Sequence, residues 1–416
     1  MDARTDVVVV GGGVIGLCSA LCLLDAGRSV RVLEARGVGS GSSHGNCGTL
    51  TPSHAAPLAA PGAVAKALRW MLTPAAPFYV APRLDPGLWR WLLGFARRCN
   101  ARDWQHALAA RAALLNDSIT HYGDWVARHA PDAEYAAEGV DYIYRTAAGF
   151  ESVARELPHL AEAGIASEVI DGAAYEREDP AFKPGLHAVI RFPGDARLRP
   201  DRYVAGLAAS LRARGGIIED GWEVQGIEED ADGVTVRGSR GAVRAREVVI
   251  ATGAWSPTLM RSAGLGALPV QPGKGYSITY ERPELVPRRA VSLHEPGVCV
   301  TVWGSGYRLG STMEFSGYST TLNRRRLDAL ERGAAQFLHQ PVGPVKQEEW
   351  YGWRPLSIDD VPIIGRVPGR QRAWVATGHG MLGVSMSPAT GQLVADLVSG
   401  REPRVDPAPY APARFR

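Results

Sequence analysis

One short stretch near the start restricts the fold more than any other part of the chain. Val7-Val8-Val9-Val10 runs into Gly11-Gly12-Gly13-Val14-Ile15-Gly16, a helix-compatible run extends to Gly27, and Val30-Arg31-Val32-Leu33 ends on Glu34. Strand, G-x-G-x-x-G turn, helix and acid-terminated strand in this register make the βαβ unit that binds a dinucleotide. Gly11 permits the tight turn, Gly13 lets the backbone approach a pyrophosphate, and Gly16 lets the helix pack closely on the strand. The helix N-terminus offers free N–H groups and the positive end of its dipole to the phosphates. Glu34 is placed to accept hydrogen bonds from a ribose diol, and it repels the 2′-phosphate of NADP. The glycine motif alone carries little weight in a chain with 48 glycines. It is the shared register of all four features that implies an ADP-containing cofactor.

A length of 416 residues exceeds the usual single domain, so two domains are expected. An apolar content of 45% and a charged content of 21% describe an ordinary globular chain. A net charge of +3 gives no reason to invoke nucleic acid. Cys18, Cys22, Cys47, Cys99 and Cys299 form neither a C-x-x-C pair nor an even disulfide framework, so no metal is expected and reduced thiols in a cytoplasmic compartment fit. Cys18 and Cys22, one turn apart on the first helix, read as small buried hydrophobes. With the first strand starting just after Met1-Asp2-Ala3-Arg4, no signal peptide is expected, and no apolar run is long enough to span a bilayer.

Further along, a glycine-rich loop covers 37–48 and a mostly helical region reaches Arg128. The pattern then suggests a strand pair at Gly139–Arg145 and helices at Phe150–Ala163 and Pro200–Arg214. Strands follow near 217, 222–228, 233–237 and 247–251. Residues 271–315 are strand-rich, Thr320–Phe337 reads as a helix, and the chain closes with strand Ala373–Thr377, a glycine turn at Gly378–Gly383 and a helix from Ser387. Gly304–Gly310 has the wrong spacing for a second phosphate loop and reads as a hairpin turn. The expected fold is α/β. A discontinuous Rossmann-like dinucleotide-binding domain (1–54, 196–264 and 346–400) joins an α+β substrate domain on an antiparallel sheet (55–195 and 265–345). A loose Pro-rich tail, 401–416, follows. Substrate is expected in the cleft between the domains.

NAD and FAD share the first motif, so later features must choose. Val249-Ile250-Ala251-Thr252-Gly253-Ala254-Trp255 is a buried strand ending in small residues, which lets backbone lie against a pyrophosphate or adenosine. Gly378-His379-Gly380-Met381-Leu382-Gly383 precedes a helix, and an isoalloxazine ring gains from such a dipole where negative charge accumulates on reduction. Together with Ser42-Ser43…Asn46-Cys47-Gly48, Gly352-Trp353-Arg354-Pro355…Asp359…Pro362-Ile363-Ile364-Gly365 and Pro388-Ala389-Thr390-Gly391, these make the chain resemble the glycine oxidase/D-amino-acid oxidase family of FAD enzymes over nearly its whole length. Within that family it is most similar to bacterial D-amino-acid dehydrogenases. Three segments carry this: Ala55-Ala56-Pro57-Leu58-Ala59-Ala60-Pro61-Gly62, Lys274-Gly275-Tyr276-Ser277-Ile278-Thr279, and the Gly378–Gly383 turn.

The resemblance implies FAD contacts from Gly11, Gly13, Val14, Ile15 and Gly16, from Glu34, Ala35 and Arg36, and from Ser42, Ser43, His44, Asn46, Cys47, Gly48 and Leu50. It adds Val224, Thr252, Gly253 and Trp255, and the turn residues Gly380, Met381, Leu382, Gly383, Val384 and Ser385. No residue compels a covalent link, so dissociable FAD is expected. Arg354 matches the family arginine that grips a substrate carboxylate with two parallel hydrogen bonds; the competing reading is a structural arginine paired to Asp359 or Asp360. Met381 stands where glycine-oxidase-like members carry a second arginine, so a hydroxyl or backbone group must complete carboxylate binding. Tyr276 is either that hydroxyl or a core tyrosine. His54 either contacts substrate or caps a turn, His379 is either a base or a loop support, and His44 is either a cofactor contact or a solvated loop residue.

The implied activity is FAD-dependent dehydrogenation of a small D-amino or D-imino acid, of the D-proline, 4-hydroxy-D-proline or neutral D-amino-acid type. Hydride leaves Cα for flavin N5 and the electrons pass to a respiratory acceptor such as a quinone. Trp350 and Trp353 are expected to wall the pocket. An oxygen-using glycine or sarcosine oxidase stands as the alternative within the class; a tRNA-modifying or non-catalytic flavoprotein stands outside it, opposed by the near-neutral charge and the intact 352–355 motif. Trp70, Trp89 and Trp91 among Lys66, Arg69, Arg90, Arg97 and Arg98 read either as a helix covering the substrate domain or as a peripheral membrane contact.

Overall fold

A computed structural model describes residues 5–65, 78–80 and 84–415. Lys66, Arg69 and Trp70 lie outside the described residues. The valine run forms strand β1 (Thr5–Val10), followed by helix α1 (Val14–Asp25) and strand β2 (Val30–Leu33). Val7 and Val9 pack on one side with α1, while Val8 and Val10 enter a separate core on the other. Burial on both faces is why the strand reads as unbroken valine rather than alternating. The parallel order is Ile217–Glu219, β2, β1, Gly241–Ile250 and Ala373–Thr377. Ile363–Arg366 adds an antiparallel edge, and the meander 224–230/233–238 hairpins onto the first half of 241–250. Helix Ser387–Ser399 crosses α1 closely: a Cβ on Gly391 would lie 2.7 Å from the Cys18 backbone. Cys18 and Cys22 are buried there, as their helical spacing implies.

The second sheet has nine strands. Its order is Lys346–Ser357, Val270–Tyr280, Gly306–Phe315, Val298–Trp303, Ala290–Leu293, Val140–Tyr144, Ala188–Phe192 and Glu168–Asp171, with Phe78–Val80 beside 313–315. All neighbours are antiparallel except 290–293 with 140–144 and the short 78–80 strand. Side-chain alternation divides its two faces. Ile278, Tyr280, Leu309 and Tyr307 point into a core closed by helix Arg324–Phe337. The opposite face, rich in glycine, looks toward the first sheet.

Four local expectations need correction. Strand 346–357, grouped by sequence with the FAD-binding segments, pairs along its length with 270–280 and belongs to the nine-stranded sheet. Residues 139–145 give one strand rather than a pair. Residues 150–163 split into helices Ala147–Ala154 and Leu157–Glu162, the second carrying Pro158 in its first turn. The tail is not loose. Tyr410 is buried and donates to the Ala110 carbonyl at 2.6 Å, and Arg414 holds Asp359 and the Val361 carbonyl.

Candidate active site

Between the two sheets lies a cavity of 760 Å³. On its dinucleotide side, Gly11 adopts φ +111°, and a Cβ there would come within 2.5 Å of the Ala251 carbonyl oxygen. Gly16 lies beneath the surface, where a Cβ would meet the Gly11 carbonyl oxygen at 1.9 Å and Val9 at 3.4 Å, so Gly11 serves the turn and Gly16 the close packing of helix on strand, as the sequence implies. Gly13, Val14 and Ile15 line the cavity, as do Glu34, Ala35, Arg36, Val224, Thr252, Gly253 and Trp255. Glu34 accepts from the backbone N–H of Gly12 at 2.7 Å and of Arg36 at 3.0 Å, which fixes its carboxylate beside the turn. The Arg36 guanidinium lies over the Trp255 ring at 4.8 Å.

The 37–48 loop is built by its own side chains. Asn46 donates to the Ser42 and Ser43 carbonyls at 3.1 and 3.2 Å and accepts from Gly48 N–H at 2.9 Å. Ser43 Oγ accepts from Val14 N–H at 3.0 Å, tying the loop to the start of α1, and Ser42 donates to the Trp353 carbonyl. Ser42, Ser43, Asn46 and Cys47 line the cavity. His44 does not: it turns into a side pocket of 240 Å³ with Asp201, and its Nε2 bonds Glu348 at 2.7 Å. That bond raises the His44 pKa and lowers that of Glu348. Gly48 and Leu50 sit behind the wall, Leu50 in the short pairing with Ala196. From the C-terminal turn, Gly380, Met381, Gly383 and Val384 line the cavity, whereas Leu382 is core and Ser385 Oγ accepts from Thr51 N–H at 3.2 Å.

On the opposite wall, alternation decides which side chains arrive. Arg354, Gly352 and Trp350 of one strand share a face with Gly273, Gly275 and Ser277 of the next. The Arg354 guanidinium lies over Gly275, where a Cβ would meet its Cζ at 2.6 Å. Arg354 donates to the Thr312 carbonyl at 2.5 Å. A β-bulge supplies that carbonyl: the register shifts between Lys274 and Tyr276, and Ser311 and Thr312 adopt φ of +128° and +60°. Both rivals for a structural pairing are occupied, Asp359 with Arg414 and Asp360 with Arg111. Among the described residues no carboxylate lies within ion-pair distance of Arg354, and burial lowers its pKa.

The same alternation corrects Tyr276. The residue borders the cavity, but its ring lies on the other face, packed with Ile278 beneath helix 324–337 and with the Lys274 ammonium 5.2 Å from its centre. It is a core tyrosine whose pKa is raised by burial and then by Glu314. His54 also lies outside the cavity wall: it bonds Thr51 Oγ1 and the Tyr142 hydroxyl, each at 3.1 Å, and burial lowers its pKa to about 4. From Tyr142 the network continues through Ser53 to Asp195, whose pKa burial raises to about 8. His379 borders the cavity and braces the turn through Thr390 at 3.1 Å, with a pKa of about 3.

Trp350 lines the cavity on the Arg354 face, whereas Trp353, register partner of Lys274, lies on the Tyr276 face and borders the cavity only at its edge beside Trp255 and Tyr318; sequence reasoning missed Ser311, Tyr318 and Thr320. The last two ride on a 316–323 loop pinned by Lys274, which donates to the Ser319 and Thr321 carbonyls at 2.8 and 2.5 Å. Trp353 and Tyr318 fasten its other side through the Gly317 and Ala254 carbonyls. The two tryptophans of helix Pro86–Arg98 face opposite ways. Trp91 is buried against Phe315, while Trp89 and Leu93 are 55% and 62% exposed.

Residues 6–397 match the family of FAD-dependent oxidoreductases. The chain is 33% identical to a D-amino acid dehydrogenase of Granulibacter bethesdensis over 98% of this chain and 99% of that protein. It is 32% identical to one from Methylobacterium nodulans over the same shares. In fold it is similar to glycine oxidase from Geobacillus kaustophilus, with TM-score 0.78, 23% identity and 98% of both chains covered. It is also similar to L-proline dehydrogenase from P. horikoshii, with TM-score 0.74, 18% identity, and 100% and 98% covered. The family's cofactor fits this cavity. A glycine turn at a helix start, a carboxylate held beside it and a second glycine turn all open on the one 760 Å³ cavity.

Proposed function

The chain belongs to the family of FAD-dependent oxidoreductases, and from that premise we propose that it dehydrogenates small D-amino or D-imino acids. One observation carries the reading: Arg354 opens on the cavity with a single carbonyl acceptor, while both neighbouring aspartates are committed elsewhere. A buried guanidinium left without an anion is costly, and a carboxylate gripped by two parallel hydrogen bonds offsets that cost. The D configuration rests on the dehydrogenases to which the chain is 32–33% identical.

In this account the eight-stranded sheet is the cofactor-binding unit and the nine-stranded sheet the substrate-binding unit. Gly11, Gly13 and the start of α1 face the pyrophosphate, Glu34 the adenosine ribose, Val224 the adenine, and Ser42, Ser43, Asn46 and Cys47 with Gly380, Met381, Gly383 and Val384 the flavin. Bound FAD supplies a two-electron acceptor. Arg354, held by Thr312 and seated over Gly275, fixes the carboxylate and thereby the direction of the Cα–H bond. The amine enters neutral, and His379, with a pKa of about 3, braces the turn rather than taking a proton. Ser311, on the bulge beside Arg354, is the hydroxyl best placed to complete carboxylate binding. Trp350, Trp353 and Tyr318 suit a neutral or cyclic side chain such as proline's.

Electrons pass to a quinone-type acceptor in this reading. Among the described residues no helix is long and apolar enough to cross a membrane. The outward Trp89 and Leu93 beside Arg90 and Arg97 are the surface we assign to a peripheral contact with the inner face of a membrane. The test is anaerobic bleaching of bound FAD by D- and L-forms of proline, 4-hydroxyproline, alanine and arginine, followed by reoxidation with air or a quinone analogue. Fastest bleaching by an L-form or by D-arginine contradicts the pocket. Rapid reoxidation by air alone makes the protein an oxidase instead.

A further inference from the structure

The cofactor-facing side of the nine-stranded sheet carries a glycine, Gly310, between strands that present side chains there. A Cβ on Gly310 would lie 2.6 Å from Cys47 Sγ, so the loop thiol rests over the glycine's backbone. Gly310 is the cross-strand partner of Cys299, which puts Cys299 on the same face one strand away. Thr301, two residues on and therefore on that face too, donates to the Cys47 carbonyl at 2.7 Å and lies 3.9 Å from Cys299 Sγ. Cys47 is thus held over Cys299's strand at both backbone and side chain, with its sulfur seated above the glycine that pairs with Cys299. Arg308, buried alongside, donates to the Asn46 carbonyl at 2.8 Å. Cys47 also borders the cavity.

The two thiols differ in character. The bond from Cys299 first, then the charges of Arg354 and Arg308, lower the Cys47 pKa, whereas its bond to Cys47 and burial raise that of Cys299 well above the ordinary value. Cys47 borders the cavity and Cys299 stands behind it on the sheet, which is the arrangement of an attacking and a resolving cysteine.

We propose that Cys47 and Cys299 form an oxidisable dithiol, in which Cys47 reacts with a hydroperoxide and Cys299 resolves the product as a disulfide. The Cys47 thiolate attacks one oxygen of hydrogen peroxide, the O–O bond breaks, and hydroxide leaves a sulfenic acid. Cys299 then attacks that sulfur, the S–S bond forms, and the sulfenic oxygen leaves as water with the Cys299 proton. The sulfur pair loses two electrons and the peroxide gains them. The cross-link fastens the 37–48 loop to strand 298–303 across the flavin side of the cavity.

The test treats the FAD-loaded protein with stepwise hydrogen peroxide and maps unreduced peptides by mass. The expected product joins the Cys47 and Cys299 peptides, is lighter by two hydrogens, and reverts with dithiothreitol. It forms before exposed Met381 gains oxygen, and it raises the temperature at which FAD fluorescence appears by several degrees. In Cys299→Ser, which keeps the untreated enzyme's activity, dimedone traps Cys47, and further peroxide carries it to a sulfinic acid that dithiothreitol does not reverse. The proposal is overturned if Met381 oxidises with no Cys47–Cys299 link, or if Cys299→Ser reverses as readily as the parent. Neither readout depends on which donor the enzyme oxidises.

Discussion

At the scale of single residues, the site turns on which charges are already paired. Asp359 and Asp360 follow Arg354 within six residues, so the sequence alone leaves a structural ion pair open. In the fold each aspartate has its own arginine, and Arg354 is left facing the cavity. Arg354→Lys should therefore retain FAD but raise KM strongly, since a point charge cannot reproduce a bidentate grip. The loss should correspond to about 2–5 kcal/mol, read from steady-state kinetics alongside the flavin absorbance of the purified variant. Asp195 makes a second residue-scale prediction. Its folded pKa of about 8 lies above the ordinary value of 3.8, so the native state favours the protonated form. The stability this brings is complete below about pH 4 and is lost as the pH rises toward 8. Asp195→Asn cannot ionise, and should gain on the parent over that window by up to about 5 kcal/mol. Urea midpoints of both proteins at pH 5 and pH 8 measure it; a constant difference between them would contradict the buried-acid account.

At the scale of elements, the nine-stranded sheet sorts its side chains by strand period, and glycines keep one face open. Gly275→Ala should push the Arg354 guanidinium from its seat, because the new Cβ would fall 2.6 Å from Cζ. A many-fold higher KM with little change in melting temperature is expected, and an unchanged KM would place the anchor elsewhere. Lys274→Met should free the 316–323 loop from two carbonyl bonds, seen as faster limited proteolysis there, with Lys274→Arg intermediate. The same sheet shows where sequence was legible. The βαβ unit was readable because strand, turn, helix and acid are contiguous and each glycine answers a local steric demand. Tyr276 was ambiguous because its face follows from register with strand 346–357, a pairing 75 residues distant in sequence. The bulge at Ser311–Thr312 carries no turn residue to betray it. The tail looked loose from its prolines, and the burial of Tyr410 against helix 101–129 together with the Arg414–Asp359 pair shows otherwise.

At the scale of the whole molecule, one cavity joins a dinucleotide cradle on one sheet to a lone guanidinium on the other. No residue of the cradle compels a covalent link, and the proposal takes FAD as dissociable: acid precipitation should leave a yellow supernatant and a colourless pellet, whereas a yellow pellet would mean a covalent link. Helix dipoles, glycine turns and Glu34 bind the cofactor without Arg354, so holding FAD and holding substrate should be separable functions. The most direct measurement compares anaerobic bleaching of bound FAD by D-proline and by D-prolinamide, which lacks the carboxylate, in the parent and in Arg354→Met. The account predicts fast bleaching by D-proline in the parent only, with slow and similar rates for the amide in both proteins. Equal rates for acid and amide in the parent, or fast bleaching by D-proline in Arg354→Met, would contradict it.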